Sequence, residues 1–252
     1  MEMKEVLMYF SFKYSGDFDM ICKAIANKEK VDVEVFKMYK QNLKDDYLTL
    51  LDDDYPISFK SLSKPPLVLF LRGNKKLLKD NYKIAIIGSR KNTSYGEKVT
   101  KAIIKELVDN KVTIVSGLAK GIDGISHQET LNNHGRTIAI IGSGFEQFYP
   151  RDNNVLYQKI IKEGLVISEY PYFVKASKDK FLRRNGLIAS LANKLVVIEG
   201  YKRSGTLNTV CQALELGKEI YCVPNVIFKD SVCNNLIKDG ANIVTKPSDI
   251  LE

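Results

Sequence analysis

The chain reads as an α/β protein with a mostly parallel sheet, helices on both faces and a short helical segment ahead of it. Three observations predict this. Short runs rich in Val, Ile and Leu recur at 67–71, 83–87, 112–116, 137–141, 165–168, 194–199 and 219–223. Each is nearly continuous in its apolar character, as strands covered on both faces are. Helical patterns lie between most of them, and alternation of that kind argues for parallel strands joined by right-handed crossovers.

Residues 1–45 carry helical spacing at 19–27 and 31–43 and are expected to form a small N-terminal helical segment whose role the residues do not reveal. The acidic cluster Asp45, Asp46 and Asp52 to Asp54, followed by Pro56, Pro65 and Pro66, marks a boundary, since proline removes a donor and disfavours helix before it. The main domain is therefore placed at 46–252. Within it, helices are expected at 97–110, 122–132, 154–163, 186–192 and 206–216, the last ending before Gly217, where a left-handed cap fits.

The composition narrows the function. At 252 residues with 44% hydrophobic and 27% charged residues, a folded core is expected. The net charge of +8 and pI near 9.1 favour an anionic partner such as nucleic acid or a nucleotide, although Lys-rich solvated helix faces give the same balance. Cys22, Cys211, Cys222 and Cys233 show no paired spacing and only His127 and His134 accompany them, which argues against a zinc site. Cys211 and Cys222 sit in apolar contexts and read as reduced core residues. No signal-peptide pattern or membrane-length apolar run is present, so a soluble cytoplasmic protein is expected.

Four strand ends pass into small-residue loops, where backbone N–H groups can approach anionic oxygen. Gly88, Ser89 and Arg90 close the first; glycines are absent from 90 and 93, so this is no dinucleotide fingerprint. Arg90 suits a two-pronged phosphate contact, and a tight turn with a solvated arginine is the alternative. Ser116, Gly117, Lys120, Gly121 and Asp123 place a lysine at a helix start, without the Walker pattern. His127 follows in the same helix and reads as a hydrogen-bonded structural residue. Gly142 opens a loop leading to Tyr149, Pro150 and Arg151, a ring and a cation suited to stacking on a base with phosphate contact, or equally to rigid loop structure. Phe181, Leu182, Arg183, Arg184 and Asn185 stand ahead of the helix expected at 186–192, where basic side chains oppose the helix dipole unless an anion offsets them. Lys202, Arg203, Ser204, Gly205 and Thr206 complete the set, with Ser204 or Thr206 able to cap a helix.

The ordered series GSR, SGLAKGID with a following His, TIAIIGSGFEQFYP, LVISEYP, FLRRN, SGT and CVPN resembles the DprA/Smf family of DNA-processing proteins. The likeness runs from Tyr55 and Pro56 to the NNLIKDGA stretch at 234–241. It implies an extended Rossmann-like domain that binds single-stranded DNA, loads the RecA recombinase during DNA uptake and forms a dimer. By motif position it implies that Gly88, Ser89 and Arg90 form a phosphate-binding turn and that Lys120 with Arg183, Arg184 and Asn185 forms a basic DNA pocket. Leu236, Ile237, Ile243 and Val244 correspond to the part of the fold associated with self-association. The chain departs from the family pattern at Leu182 for proline, Gly186 for a second arginine, Asn225 in VPN for VPG, and in SVCNN at 231–235.

The expectation is thus a non-catalytic single-stranded DNA-binding protein without cofactor or metal. An enzyme of the nucleotide phosphoribohydrolase group has a similar fold, but its loop glutamate is replaced here by Thr209, so the acid for ribosyl chemistry is missing. A small-nucleotide-binding protein using the same pocket is the other alternative.

Overall fold

In the computed structural model, which describes residues 1–201, 205–226 and 231–251, nine strands form one sheet. The strands are β1 (Asp46–Thr49), β2 (Val68–Gly73), β3 (Lys83–Ile87), β4 (Thr113–Ser116), β5 (Arg136–Ile141), β6 (Leu165–Ser168), β7 (Lys194–Val197), β8 (Glu219–Cys222) and β9 (Asn242–Ile243). Their order across the sheet is β1-β2-β6-β5-β4-β3-β7-β8-β9. From β6 to β9 every neighbouring pair is parallel, whereas β2 runs antiparallel to both β6 and β1. The chain winds outward from β3 through β4, β5 and β6, then returns to place β7 on the other side of β3. This reversal opens a crevice at the carboxyl ends of β3 and β7, the position where doubly wound sheets bind ligands.

Ten helices cover the sheet within the described residues: α1 (Met3–Lys13), α2 (Phe18–Ala26), α3 (Val33–Asn42), α4 (Ile57–Lys60), α5 (Ser94–Asp109), α6 (Ile122–Asn132), α7 (Asn154–Glu163), α8 (Lys178–Leu191), α9 (Gly205–Glu215) and α10 (Val232–Lys238). The pleat divides each strand between two cores. Ile84 and Ile86 of β3 pack with Ile103, Ile104 and Leu107 of α5, while Ala85 and Ile87 face Leu187, Ile188 and Leu191 of α8. The N-terminal helices share a third cluster with β2 and α7, in which Leu7, Met8, Phe10 and Phe12 meet Phe70, Val166 and Ile160.

Several elements differ from the sequence expectation. The acidic stretch beginning at Asp46 is the edge strand β1, with Tyr47 opposite Phe70. Helix α1 escapes periodicity because Leu7 through Phe12 are all buried, so no polar face shows at 3.6 residues. Helix α8 begins eight residues earlier than expected and contains Phe181 to Asn185. Gly186 does not break it and faces α9, where a β-carbon would meet the side-chain Oε1 of Gln212 at 2.1 Å. Gly217 does end α9, at φ +67°. Cys211, expected in the core, is exposed, while Cys222 and Cys233 are buried.

The four apolar residues assigned to self-association separate in space. Val244 is 5% exposed and belongs to the α5-side core, and Leu236 and Ile237 pack against the α8-side core. The latter two are partly buried there, so part of their apolar surface stays accessible. Ile243, on edge strand β9, is 49% exposed.

Candidate functional site

Helix α8 connects β6 to β7 and therefore crosses the sheet with its first turns above the crevice. Because consecutive helical residues diverge by about 100°, Leu182, Arg183, Arg184 and Asn185 point in different directions. Lys178, Phe181, Leu182 and Asn185, spaced i, i+3, i+4 and i+7, share the face that walls an open groove of about 630 Å³. Arg90 from the β3 loop, Tyr149, the Ala176–Ser177 stretch ahead of α8, and Gly205 and Asn208 of α9 complete its walls.

Phe181 is the centre of this wall. The guanidinium carbons of Arg90 and Arg184 stand 5.6 and 5.8 Å from its ring centroid, within the range of cation–π attraction. The ring of Tyr149 lies 6.1 Å away at 48°. Arg90 is exposed and makes no ion pair among the described residues, and its charge also acts on the buried Asp123 carboxyl. Arg184 is 3% exposed, donates from Nη1 to the Ile140 carbonyl at 3.1 Å, and has no partner for Nε. Burial pushes its pKa down to about 10; Asp123 opposes that shift and Arg90 adds to it. Burial likewise raises the Asp123 carboxyl, against the pull of Arg184. An anion beside Arg90 and Arg184 would relieve their mutual repulsion.

The small residues of the strand-end loops make room for other elements. A β-carbon on Gly117 would stand 1.5 Å from the Nη1 of Arg184, and one on Gly142 would stand 2.9 Å from the Cδ1 of Phe181. Gly121, at φ +76°, lies so close to the β3 loop that a β-carbon would meet the Ser89 carbonyl at 2.2 Å. That carbonyl accepts from the Ile122 amide at 3.1 Å, so one donor at the start of α6 is used within the chain. Gly88 presses on Ile122, and its carbonyl accepts from Thr206 Oγ1 at 3.3 Å. Ser89 closes its own turn through Lys91, and Ser116 Oγ donates to Ile86 at 2.7 Å.

Of the expected contact residues, Arg90, Asn185 and Gly205 line the groove, and Arg184, Gly117 and Gly142 lie beneath or beside it. Two cations are engaged elsewhere. Arg183 forms a forked ion pair with Glu169, with Nη2 to Oε1 at 2.8 Å and Nε to Oε2 at 3.0 Å. Lys120 pairs with Asp152. Neither lines the groove; Arg183 turns away because residue 183 projects from a different side of α8. Lys202 and Ser204 lie outside the described residues. The expectation missed Phe181, Lys178 and Asn208 as groove residues; extending α8 back to residue 178 reveals the face carrying the first two.

His127 is fully buried with Nδ1 2.7 Å from Thr137 Oγ1, and burial, with Arg184 nearby, pushes its pKa down to about 3. It is a structural residue, as its context implied. Thr209, at the rival enzyme's glutamate position, is 3% exposed and donates to the Gly205 carbonyl at 3.2 Å. Glu199 accepts from the Thr93 amide and hydroxyl at 2.8 and 2.9 Å, bracing the start of α5. The described residues contain no cluster of three or more His, Cys, Asp or Glu able to hold a metal, and no helix long and apolar enough to cross a membrane.

The DNA processing protein DprA of Bacillus subtilis is 40% identical over 200 residues, covering 79% of this chain and 67% of that protein. Among solved structures, DprA from Streptococcus pneumoniae is 36% identical with a TM-score of 0.83, covering 92% of this chain and 81% of its own. DNA processing protein A from Helicobacter pylori, described for its unique single-stranded DNA binding mode, is 30% identical with a TM-score of 0.76, covering 82% of this chain and 95% of its own. The model of the DNA recombination-mediator protein A family matches residues 46–252, and with these relatives it shows that the chain belongs to that family.

Proposed function

We propose that this protein binds single-stranded DNA in the groove at the carboxyl ends of β3 and β7, and that it acts as a DNA-processing protein in transformation or recombination. The observation that carries the reading is the exposed Arg90, without an ion pair among the described residues, beside the Phe181 ring, with the buried Arg184 behind it. A cation next to an aromatic face suits phosphate contact and base stacking together, without sequence preference. Its relatives' named role in DNA processing supports the same reading.

The role is one of binding rather than catalysis. Asp123 and Glu199 are enclosed, and Thr209 offers no acid. In the family's manner the protein passes single-stranded DNA to RecA in the cytoplasm and works as a homodimer. The exposed β9 edge with Ile243 is available for that pairing, and sedimentation as a monomer at micromolar concentration would count against it.

A mobility-shift titration with oligothymidine tests DNA binding. Arg90→Ala with Phe181→Ala should weaken it by about tenfold or more, since stacking alone contributes about 1–3 kcal/mol per base. Binding that ignores salt, or is unchanged in this double variant, would overturn the assignment.

A further inference from the structure

We propose that Lys218 is an acyl-acceptor lysine, modified by acyl phosphates in a cavity at the amino ends of β3 and β7. This cavity, about 370 Å³, lies at the opposite edge of the sheet from the groove described above. Lys83 opens β3, Asn193 precedes β7 and Lys218 precedes β8, and all three line it. The site is independent of the DNA groove.

The turn after α9 sets the place of this lysine. Gly217, at φ +67°, donates its amide to the Leu214 carbonyl at 2.9 Å, and the Lys218 amide donates to the Ala213 carbonyl at 2.9 Å. Such a pair of bonds closes a helix through a left-handed residue, and the residue that follows often makes an apolar contact with the last turn. Here that residue is a lysine, and Ala213 belongs to the core. The Lys218 side chain is half-buried and makes no ion pair or side-chain hydrogen bond among the described residues, and burial alone pushes its pKa down. Lys79, in the same cavity, is held differently, with Asp54 at 2.8 Å.

Burial without a counter-charge favours the free amine, which is the nucleophile. Its lone pair attacks the acyl carbonyl carbon and forms an amide bond. The bond from that carbon to the phosphate oxygen breaks, and inorganic phosphate leaves with the electron pair, taking up the proton that the amine loses. The product is an uncharged amide, so the cost of burying an ammonium disappears. The lining suits this donor. Three cations, Lys79, Lys83 and Lys218, stand against the carboxylates of Asp53 and Asp54, which leaves one positive charge for an anionic phosphate. Lys83 is 6% exposed and its Nζ donates to a main-chain carbonyl, that of Asp80. Leu191 and Ala192 give the acyl group apolar contact.

The test incubates the intact protein with acetyl phosphate and follows acetylation of each lysine over time by peptide mass spectrometry. At about pH 7, Lys218 should react about threefold or more faster than Lys98 and Lys162, which are exposed and without ion pairs among the described residues. The excess should shrink as pH rises toward about 10.4, the ordinary lysine value, and should vanish in urea, where the cavity is lost. Added inorganic phosphate, which offers the same anionic group, should slow Lys218 and leave Lys98 unchanged. Equal rates at Lys218 and the exposed lysines, an excess that persists in urea, or a Lys218 rate indifferent to phosphate would overturn the site.

Discussion

Arg183→Ala should cost stability before it costs DNA affinity, the reverse of what a basic DNA contact would do. The Glu169 side chain is 5% exposed and its two oxygens face the Arg183 guanidinium, whose side chain is 28% exposed. Removing one partner of a buried pair costs about 3–5 kcal/mol. The lower end, about 3 kcal/mol, applies because Arg183 is partly in water. For a chain of this length that corresponds to a fall in Tm of about 6–12 °C. Burial pushes the Glu169 carboxyl up and Arg183 pulls it down, so losing Arg183 raises the folded-state value further above the unfolded one. The folded variant then holds a proton that the unfolded chain releases. Its stability deficit should be smallest below the unfolded carboxylate value of about 4.3 and grow as pH rises through the folded value. Urea unfolding across this range, with oligothymidine binding measured well below Tm, separates the effects. Wild-type stability accompanied by lost binding would refute the structural role of this arginine.

Arg90→Ala alone should weaken oligothymidine binding while leaving the urea midpoint within about 0.5 kcal/mol of wild type, as expected for an exposed side chain. Gly117→Ala should destabilise the protein by about 2–3 kcal/mol in urea unfolding, because the new methyl occupies the place of the Arg184 Nη1; DNA affinity should fall with it as Phe181 loses its support. His127, held neutral with a pKa near 3, should make the fold acid-sensitive: below about pH 6.5 the unfolded chain takes up a proton that the folded one refuses, so stability falls by about 1.4 kcal/mol per pH unit. His127→Gln should flatten that slope between about pH 6.5 and about pH 4, measured as urea midpoints.

Much of the site was legible because strand cores and loop composition are local properties. The apolar run at 83–87 is strand β3 to the residue, and Arg90 at its end does reach the groove. The glycines were legible as positions needing no side chain, but their partners were not. Only the packed structure shows that Gly117 and Gly142 accommodate Arg184 and Phe181, which lie 67 and 39 residues further along the chain.

Local pattern determined the α/β class, the strand positions and the basic, small-residue character of the strand ends, since these follow from period and residue type alone. Tertiary structure decided which cations remain free. Lys120 and Arg183 look equivalent to Arg90 in sequence, yet Asp152 and Glu169 neutralise them from other elements. It also decided where Phe181 stands, because the direction of a side chain depends on the phase of α8, and that phase is set by how its buried side packs on β3 and β5. Long-range pairing and helix phase are not written in any short stretch of residues, and they determine which part of the basic row faces a strand of DNA.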